Sequence, residues 1–288
     1  MSNTTTLSQD DKIRSDVSKT YTKALKQETA SRCCGTAAPK TDALPVNVRG
    51  NGYTAADLTT VPQDAVTNSF GCGNPLAFAG VREGDTVVDL GSGAGIDLLI
   101  AAKKVGPRGN VIGIDMTDAM IEHARRNIRA AGVSNVEVRK GVIEKLPVEA
   151  GSVDWVISNC VINLSPDKPA VFREIARVLK PGGQMSVSDI VAERLPWWAR
   201  KSMKLYASCV GGAISEAKYL DGLRAAGLVD VEVKDRLIYT TEQIQSVAEE
   251  IFAASPVFKR IVGFLIKPLS RQFGGKIWSA KVYARKPE

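Results

Sequence analysis

Residues 86–97 read TVVDLGSGAGID, and this stretch decides the fold. Its first half is a short apolar run typical of a buried strand, and its second half places glycines at positions 91, 93 and 95. A glycine turn between a strand and a helix brings backbone N–H groups and the positive end of the helix against a ligand. The spacing is G-x-G-x-G rather than the G-x-G-x-x-G of dinucleotide-binding folds, because Ile96 stands where that fingerprint has its third glycine. The stretch therefore predicts a strand, a ligand-binding turn and a helix.

The alternation of strand and helix continues downstream. The pattern predicts strands over residues 86–90, 110–115, 136–140, 153–158 and 184–190, and helices over 96–105, 119–131 and 169–179. Alternating units of this kind give a mainly parallel sheet with helices on both faces, and right-handed crossovers make the sheet doubly wound. The predicted fold class is therefore α/β.

The flanking sequence predicts smaller additions to this sheet. Upstream we expect a helix over residues 10–27, a loop over 31–52 and a broken helical region over 61–79. Downstream we expect a helical stretch at 197–198, helices over 218–226 and 242–252, and strands over 229–240 and 276–285. The predicted organisation is an N-terminal helical and loop extension (1–64), a ligand-binding core (65–190), a segment with the remaining core elements (191–240) and a smaller basic C-terminal region (241–288).

The positive charge is concentrated in that C-terminal region. The chain has 288 residues with 38 Lys and Arg against 31 Asp and Glu, a net charge of +7, and residues 256–288 contain eight basic residues and one acid. These basic residues alternate with apolar ones without the aromatic pattern of RNA-binding surfaces, so we interpret the region as a solvated face and expect no nucleic-acid or membrane partner. No apolar run approaches 18 residues and the N-terminus is polar and acidic, so a cytoplasmic location is expected.

A carboxylate ends the second predicted strand. Asp115 lies 24 residues after Gly91, and an acid at this place accepts hydrogen bonds from ribose hydroxyls in nucleotide-binding folds. Together with the glycine turn and the Pro-Gly-Gly turn at 181–183, it makes residues 65–190 resemble the class I S-adenosylmethionine-dependent methyltransferases. The resemblance implies a Rossmann-like methyltransferase sheet and S-adenosylmethionine as the cofactor.

The resemblance also implies the cofactor-binding residues: Asp89, Gly91, Ser92, Gly93, Asp115, Met116, Ile143, Glu144 and Asn159. By that likeness the glycines let the backbone approach the methionine and ribose, Asp115 holds the ribose, and Met116 lies against the adenine. Ile143 and Glu144 are expected at the adenine edge, and Asn159 near the methyl group. Asp89 has two open roles, since it either braces the turn or holds the ammonium group of the cofactor.

Five cysteines carry the remaining chemistry: Cys33, Cys34, Cys72, Cys160 and Cys209. An odd number of thiols in a reducing compartment argues against a structural disulfide framework, and a single histidine without any C-x-x-C pair argues against a closed zinc site. Cys160 follows the fourth predicted strand directly, whereas Cys72 and Cys209 lie in glycine-containing segments. Because ligands of doubly wound sheets bind at the carboxyl ends of strands, three loops can bring one thiol each to that edge.

The sequence around these thiols resembles arsenite methyltransferases. The matching segments are FGCGNP (70–75), SNCVINLSPDK (158–168) and CVGGA (209–213), with Gly-Tyr at 52–53, and the match runs over about residues 33–240. The resemblance implies that Cys72, Cys160 and Cys209 bind trivalent arsenic as thiolates and that Cys33 or Cys34 takes part in redox turnover. It implies arsenite and methylated arsenicals as substrates and products, a thioredoxin- or glutathione-type external reductant, and a role in arsenic detoxification.

The implied chemistry suits these residue types. Arsenic(III) is soft and is matched by thiolates, and it keeps a lone pair that attacks a sulfonium methyl group without a general base. Methylation formally raises arsenic to the pentavalent state, and a cysteine pair that forms a disulfide returns the two electrons. Because a Cys33–Cys34 disulfide would close a strained ring, we hypothesise that Cys33 or Cys34 pairs with Cys72 in that step.

Two alternatives stay open at this point. One is a methyltransferase that acts on another small molecule or on RNA and has incidental cysteines, and the other is a non-catalytic protein that sequesters arsenite. Other prominent residues have ordinary interpretations: His123 as a surface helix residue, Arg173, Glu174 and Arg177 as a solvated helix face, and Trp197 and Trp198 either over the arsenic pocket or packed against the sheet.

Overall fold

The structure, a computed structural model, describes residues 8–33, 52–59, 61–77, 79–241 and 275–288. Its helices are α1 (Gln9–Cys33), α2 (Ala55–Leu58), α3 (Gln63–Thr67), α4 (Ile96–Val105), α5 (Asp118–Ala131), α6 (Lys168–Val178), α7 (Trp197–Lys201), α8 (Met203–Ala207) and α9 (Glu216–Ala225), and short 3₁₀ helices span Pro75–Ala77 and Ile162–Leu164. Its strands are β1 (Thr86–Leu90), β2 (Asn110–Asp115), β3 (Val136–Lys140), β4 (Val153–Asn159), β5 (Leu179–Ala192), β6 (Val229–Ile238) and β7 (Ile277–Arg285).

The strands form one sheet in the order β3-β2-β1-β4-β5-β7-β6. Strands β1 to β5 run parallel to one another, whereas β7 is antiparallel to both β5 and β6. After β3 the chain returns to the other side of β1, so the carboxyl ends of β1 and β4 border the crevice where doubly wound sheets bind ligands. The predicted α/β, doubly wound class is confirmed.

The strand bounds show where the sequence pattern was incomplete. Strands β1, β2 and β3 have the predicted bounds, but β5 begins at Leu179 rather than at residue 184. The Pro-Gly-Gly turn therefore lies within β5, where a register shift opposite Val153 and Trp155 accommodates it. Strand β7 pairs on both sides, so the last strand of the basic region is part of the main sheet.

The N-terminal part differs from its prediction in one respect. Helix α1 continues to Cys33, so the first residues of the predicted loop are helical. Residues 34–51, including Cys34, lie outside the described residues, as does the predicted helix over 242–252. Helix α1 is docked on the fold, because Val17 is 1% exposed and Leu25 is 3% exposed, and burying one such side chain stabilises by about 1.5–3 kcal/mol.

Three apolar clusters organise the packing. One fills the face of the sheet under α4 and α5, and a second fills the opposite face, where the rings of Phe172 and Tyr219 lie 5.2 Å apart. The third and smallest cluster lies at the carboxyl edge and contains Cys72, Cys160 and Cys209 beside Val17 of α1. The three loops therefore bring their cysteines to one edge of the sheet.

The described basic residues near the C-terminus form surface ion pairs. Lys281 pairs with Asp235 at 3.1 Å, and Arg285 pairs with Asp230 at 2.9 Å. These contacts agree with a solvated face, and residues 242–274 lie outside the description. In the part of the chain that the structure describes, no helix combines the length and the apolarity needed to cross a membrane.

Candidate active site

A cavity lies at the carboxyl edge of the sheet, beside the glycine turn. Its walls include eight of the residues expected at a cofactor: Gly91, Ser92, Gly93, Asp115, Met116, Ile143, Glu144 and Asn159. Cys160 lines the same cavity, so one of the three cysteines lies in the wall of the proposed cofactor space. The ninth expected residue, Asp89, is buried in β1, and burial together with the nearby carboxylates of Asp97 and Asp115 raises its pKa.

The glycine turn has a backbone conformation that disfavours side chains. Gly91, Gly93 and Gly95 have φ values of +69°, +52° and +95°, in the left-handed region where glycine is not penalised. At Gly91 a Cβ atom would lie 2.4 Å from Cγ2 of Val161, whereas at Gly93 it would meet open space. Gly91 is therefore required for close packing, and Gly93 leaves room on the cavity side.

Asp115 is held by backbone donors from two directions. Its Oδ2 accepts a hydrogen bond from the Gly93 N–H at 3.0 Å, and its Oδ1 accepts one from the Thr117 N–H at 2.8 Å. Burial raises the pKa of Asp115, and these backbone hydrogen bonds oppose that rise. A carboxylate offers about four lone-pair sites, so Asp115 keeps acceptor capacity for ligand hydroxyls.

The cavity combines a polar and an apolar side. At Gly93 a Cβ atom would meet open space, and the carboxylate of Asp115 beside it keeps acceptor capacity. With Met116 and Ile143 as apolar walls, the donor and acceptor set fits an adenosyl group that carries an amino-acid tail.

The three thiols expected to bind arsenic meet beside this cavity. Cys72 and Cys160 form a disulfide, and the Cys209 thiol donates to the Cys160 carbonyl at 2.6 Å. The sequence argument excluded a structural framework of disulfides and left a single redox pair open. This pair forms because tertiary packing brings two cysteines 88 residues apart to a Cα–Cα distance of 5.7 Å. Cys72 is paired here with Cys160 rather than with Cys33 or Cys34, whose side chains lie outside the description.

Backbone strain marks two of these cysteines. Cys160 has φ +60° and Cys209 has φ +64°, and Asp230 is the one further non-glycine residue with positive φ in the described chain. This conformation costs an L-residue roughly 1–2 kcal/mol. Strain of this kind persists where the surrounding structure imposes it and often marks functional sites. The strained backbone therefore sets the direction of two thiols.

Cys209 is the free thiol of the described cysteines. Burial raises its pKa strongly, and the negative charge of Asp189 adds to the rise, while Tyr21 and Lys168 oppose it. The thiol is therefore protonated at neutral pH until a ligand displaces the proton. A soft metalloid that bonds to sulfur is a ligand of this kind.

A buried polar network around Asp189 lies close to the Cys209 thiol. Asp189 accepts hydrogen bonds from Asn163 Nδ2 at 2.7 Å and from the Ile190 N–H at 2.9 Å. Burial raises the pKa of Asp189 to about 7, although Lys168 and these hydrogen bonds lower it. Between pH 4 and 7 the folded protein therefore binds a proton that the unfolded chain releases, and this stabilising contribution is lost as the pH rises.

Asp189→Asn is expected to remove that pH dependence. Asparagine keeps an acceptor for both hydrogen bonds but does not ionise. The free energy of unfolding of the variant, relative to that of wild type, is therefore expected to increase by about 2–3 kcal/mol from pH 5 to pH 8. Urea unfolding of both proteins at the two pH values measures this difference. An equal difference at pH 5 and pH 8 would assign the titration to another group.

Helix α1 covers one side of the cavity, which sequence reasoning missed. Arg14, Val17 and Tyr21 all line it. The guanidinium of Arg14 pairs with Glu144 at 3.2 Å, and Ser165 Oγ donates to the same carboxylate at 2.7 Å. Glu144 therefore ties α1 to the cavity wall in addition to facing the cavity. The apolar face of residues 10–27 signalled the helix but not the surface on which it docks.

Three ordinary interpretations need correction or refinement. His123 is a half-buried residue of α5, and its Nδ1 lies 3.0 Å from Asp64 Oδ2. Arg177 is not simply solvated, since it donates to the carbonyls of Val148 and Leu146 and thereby holds the loop before β4. Trp197 is 71% exposed, so it neither packs against the sheet nor closes the site.

Comparisons with known proteins agree with this geometry. A sequence family described as "Methyltransferase domain" matches residues 82–245. The arsenite methyltransferase of Halobacterium salinarum is 45% identical over 186 residues, which cover 63% of this chain and 46% of that protein. The human arsenite methyltransferase is 37% identical over 219 residues, covering 71% of this chain and 55% of that protein. The chain spans about half the length of the curated relatives that it matches.

A solved structure gives broader coverage. CrArsM, an arsenic(III) S-adenosylmethionine methyltransferase from Chlamydomonas reinhardtii, superposes with a TM-score of 0.62 and 34% identity, covering 85% of this chain and 75% of that one. The sheet, the glycine turn and the domain match define a class I methyltransferase. Within this class, the chain belongs to the arsenite methyltransferase family.

Proposed function

We propose that this protein transfers the methyl group of S-adenosylmethionine to trivalent arsenic bound by the thiolates of Cys72, Cys160 and Cys209. One observation carries the proposal: the three thiols meet at one edge of the sheet, and one of them lines the glycine-turn cavity. A methyltransferase for carbon, oxygen or nucleic-acid acceptors does not require three buried cysteines at this place.

The cavity residues bind and orient the methyl donor. S-adenosylmethionine supplies, when bound, a methyl group on a positively charged sulfur. The backbone at Gly91 and Gly93 provides the close approach, and Asp115 provides acceptors for the ribose hydroxyls. Alignment of a bound acceptor with the donor contributes roughly 7–11 kcal/mol to such reactions, and positioning is therefore the main contribution of these residues.

The thiol site binds the acceptor. Arsenite exchanges three hydroxyl groups for three sulfur ligands, and each thiol proton leaves with a hydroxyl as water. Protonated Cys209 therefore needs no separate base to bind arsenic. The arsenic lone pair then attacks the methyl carbon, and the carbon–sulfur bond electrons stay on the departing sulfur.

The redox step follows from electron balance. Methylated arsenic is formally pentavalent, and two cysteine thiolates that join in a disulfide reduce it by two electrons. The Cys72–Cys160 bond supports this step, because it joins two of the proposed arsenic ligands. Cys33 and Cys34 remain proposed as further redox cysteines, and an external thiol reductant of the thioredoxin or glutathione type resets the enzyme. We place this reaction in the cytoplasm, in arsenic detoxification.

The disulfide form is expected to bind no arsenite in the thiol site. With Cys72 and Cys160 oxidised, one of the three thiols is left, and a single thiol loses the chelation on which tight binding depends. Arsenic bound per protein, measured after gel filtration of oxidised and reduced samples, is expected to rise from near zero to about one. Equal stoichiometry in both samples would contradict the site.

An acceptor panel tests the proposed function. Reduced protein is incubated with labelled S-adenosylmethionine, a thiol reductant and either arsenite, a small-molecule quinol or RNA, and the products are separated by chromatography. We expect label in methylated arsenic alone. Label in the quinol or in RNA without arsenic methylation would replace the proposal, and binding of both ligands without transfer would indicate a sequestering protein.

A further inference from the structure

The loop that carries Cys72 is held by one side-chain amide. Asn159 Oδ1 accepts hydrogen bonds from the backbone N–H groups of Cys72 at 2.9 Å and Gly73 at 3.1 Å, and its Nδ2 donates to the Gly73 carbonyl at 2.7 Å. A Cβ atom at Gly71 would lie 2.2 Å from Asn159 Nδ2. The glycine thus lets the loop lie directly on the amide.

The other side of Cys72 is fixed by strand β7. Ser279 Oγ donates to the Cys72 carbonyl at 3.0 Å. The backbone of Cys72 is therefore bonded through its N–H to β4 and through its carbonyl to β7. Asn159 directly precedes Cys160, so one dipeptide at the end of β4 supplies both the amide that holds Cys72 and the thiol that bonds to it.

The Asn159 amide is itself oriented by two buried groups. The N–H of Nδ2 that does not bond to Gly73 is shared between the Tyr53 hydroxyl at 2.9 Å and Asp97 Oδ2 at 3.2 Å, and the Tyr53 hydroxyl donates to Asp97 Oδ1 at 2.9 Å. Tyr53 is 6% exposed and Asp97 is 4% exposed. Backbone N–H donors face the amide oxygen, and oxygen acceptors face the amide nitrogen. The hydrogen bonds are therefore satisfied in only one of the two flipped orientations of the amide.

Asp97 also connects the Asn159 amide to the glycine turn of the cofactor cavity. It lies in the first turn of α4, directly after the glycine turn. The chain of contacts therefore runs from the helix behind the glycine turn, through Tyr53 and Asn159, to the Cys72 backbone. Buried, fully bonded networks of this kind fix a single arrangement of the groups they hold.

We infer that Asn159, oriented by Tyr53 and Asp97, is a positioning residue that sets the Cys72 thiol at bonding distance from Cys160 and from arsenic. The arsenic part rests on the proposed function, whereas the thiol geometry is independent of it. Asn159 thus acts on the acceptor thiol in addition to lining the cofactor cavity, where the family resemblance placed it.

The test compares three variants with wild type. Tyr53→Phe removes the hydroxyl that orients the Asn159 amide, and Asn159→Ala removes the amide itself. Tyr283→Phe is the matched control. It also removes a tyrosine hydroxyl, which lies away from the site and donates to Gln184 Oε1 at 2.8 Å. The first readout is the rate at which diamide converts the reduced Cys72–Cys160 pair to its disulfide. The second is the affinity for phenylarsine oxide, which condenses with two thiols and releases water. The third is the affinity for S-adenosylhomocysteine.

We expect oxidation rate and arsenical affinity to fall about tenfold in Tyr53→Phe and further in Asn159→Ala, since the first variant loses one hydrogen bond that orients the amide and the second loses the amide itself. The S-adenosylhomocysteine affinity of Tyr53→Phe and all three readouts of Tyr283→Phe are expected to stay within about twofold of wild type. A fourth protein that combines Tyr53→Phe with Asn159→Ala is expected to match Asn159→Ala, because coupled residues are not additive.

Unchanged oxidation rates in both single variants would overturn the inference, as would an equal loss of S-adenosylhomocysteine affinity in Tyr53→Phe. If Asn159→Ala does not fold, the oxidation rate and the affinities of Tyr53→Phe alone test the inference. Absence of arsenical binding by the reduced wild-type protein would contradict the proposed function. The oxidation rates would still test the thiol positioning in that case.

Discussion

Cys209→Ser is expected to abolish arsenic methylation and leave cofactor binding intact. A serine hydroxyl is a hard, protonated ligand that replaces a soft thiolate poorly, so arsenic would keep two sulfur ligands and lose its alignment with the methyl donor. We expect the transfer rate to fall at least about a hundredfold, which corresponds to about 2.7 kcal/mol of transition-state stabilisation. Measured by calorimetry, S-adenosylhomocysteine affinity is expected to stay within about twofold, because Cys209 is not among the residues that line the cavity.

Two further variants make this result interpretable. Ser208→Ala alters the neighbouring residue, whose hydroxyl donates to the Leu205 carbonyl at 2.9 Å, and is expected to keep full activity. Cys160→Ser is expected to lose transfer as completely as Cys209→Ser, because each removes one of three sulfur ligands. Full activity in either cysteine variant would refute the three-thiolate site.

Gly91→Ala is expected to lose cofactor binding. An alanine Cβ would lie 2.4–2.5 Å from both Cγ atoms of Val161, and residue 91 has φ +69°. Relief of the clash requires the turn or Val161 to move, and Val161 follows Cys160 directly and lines the cavity. We expect S-adenosylhomocysteine affinity to fall at least about a hundredfold, or about 2.7 kcal/mol.

The matched control separates the clash from the backbone cost. Gly132 ends α5 with φ +68°, and a Cβ atom there would meet open space. Gly132→Ala therefore has the same backbone penalty of roughly 1–2 kcal/mol without the clash, and we expect reduced stability with normal ligand affinity. Similar loss of affinity in both variants would mean that the Gly91 effect comes from general destabilisation.

The parts of the fold that depend on local pattern were predictable from the sequence. The apolar run at 86–90 and the glycines after it specify a strand and turn whatever surrounds them, and β1, β2 and β3 have the predicted bounds. The rule that ligands bind at carboxyl ends of strands was enough to predict that Cys72, Cys160 and Cys209 lie at one edge. The match to arsenite methyltransferases agrees with the resemblance seen in those segments.

The parts that depend on tertiary pairing were not predictable. No local signal says that β7 enters the sheet between β5 and β6, or that α1 docks over the cavity through Arg14 and Glu144. The partner of Cys72 was also missed, because Cys160 lies 88 residues away and meets it through tertiary packing. Contacts of this separation depend on how the elements meet rather than on the pattern within any one of them.

A single-turnover transfer experiment tests the central claim most directly. Reduced protein is loaded with one equivalent of arsenite, mixed rapidly with labelled S-adenosylmethionine and quenched, and the arsenic products are separated while the state of the Cys72–Cys160 pair is read by mass spectrometry. We predict about one labelled methyl group on arsenic per protein in the reduced sample and none in the disulfide form. Equal transfer in both forms, or no label on arsenic although both ligands are bound, would contradict the account.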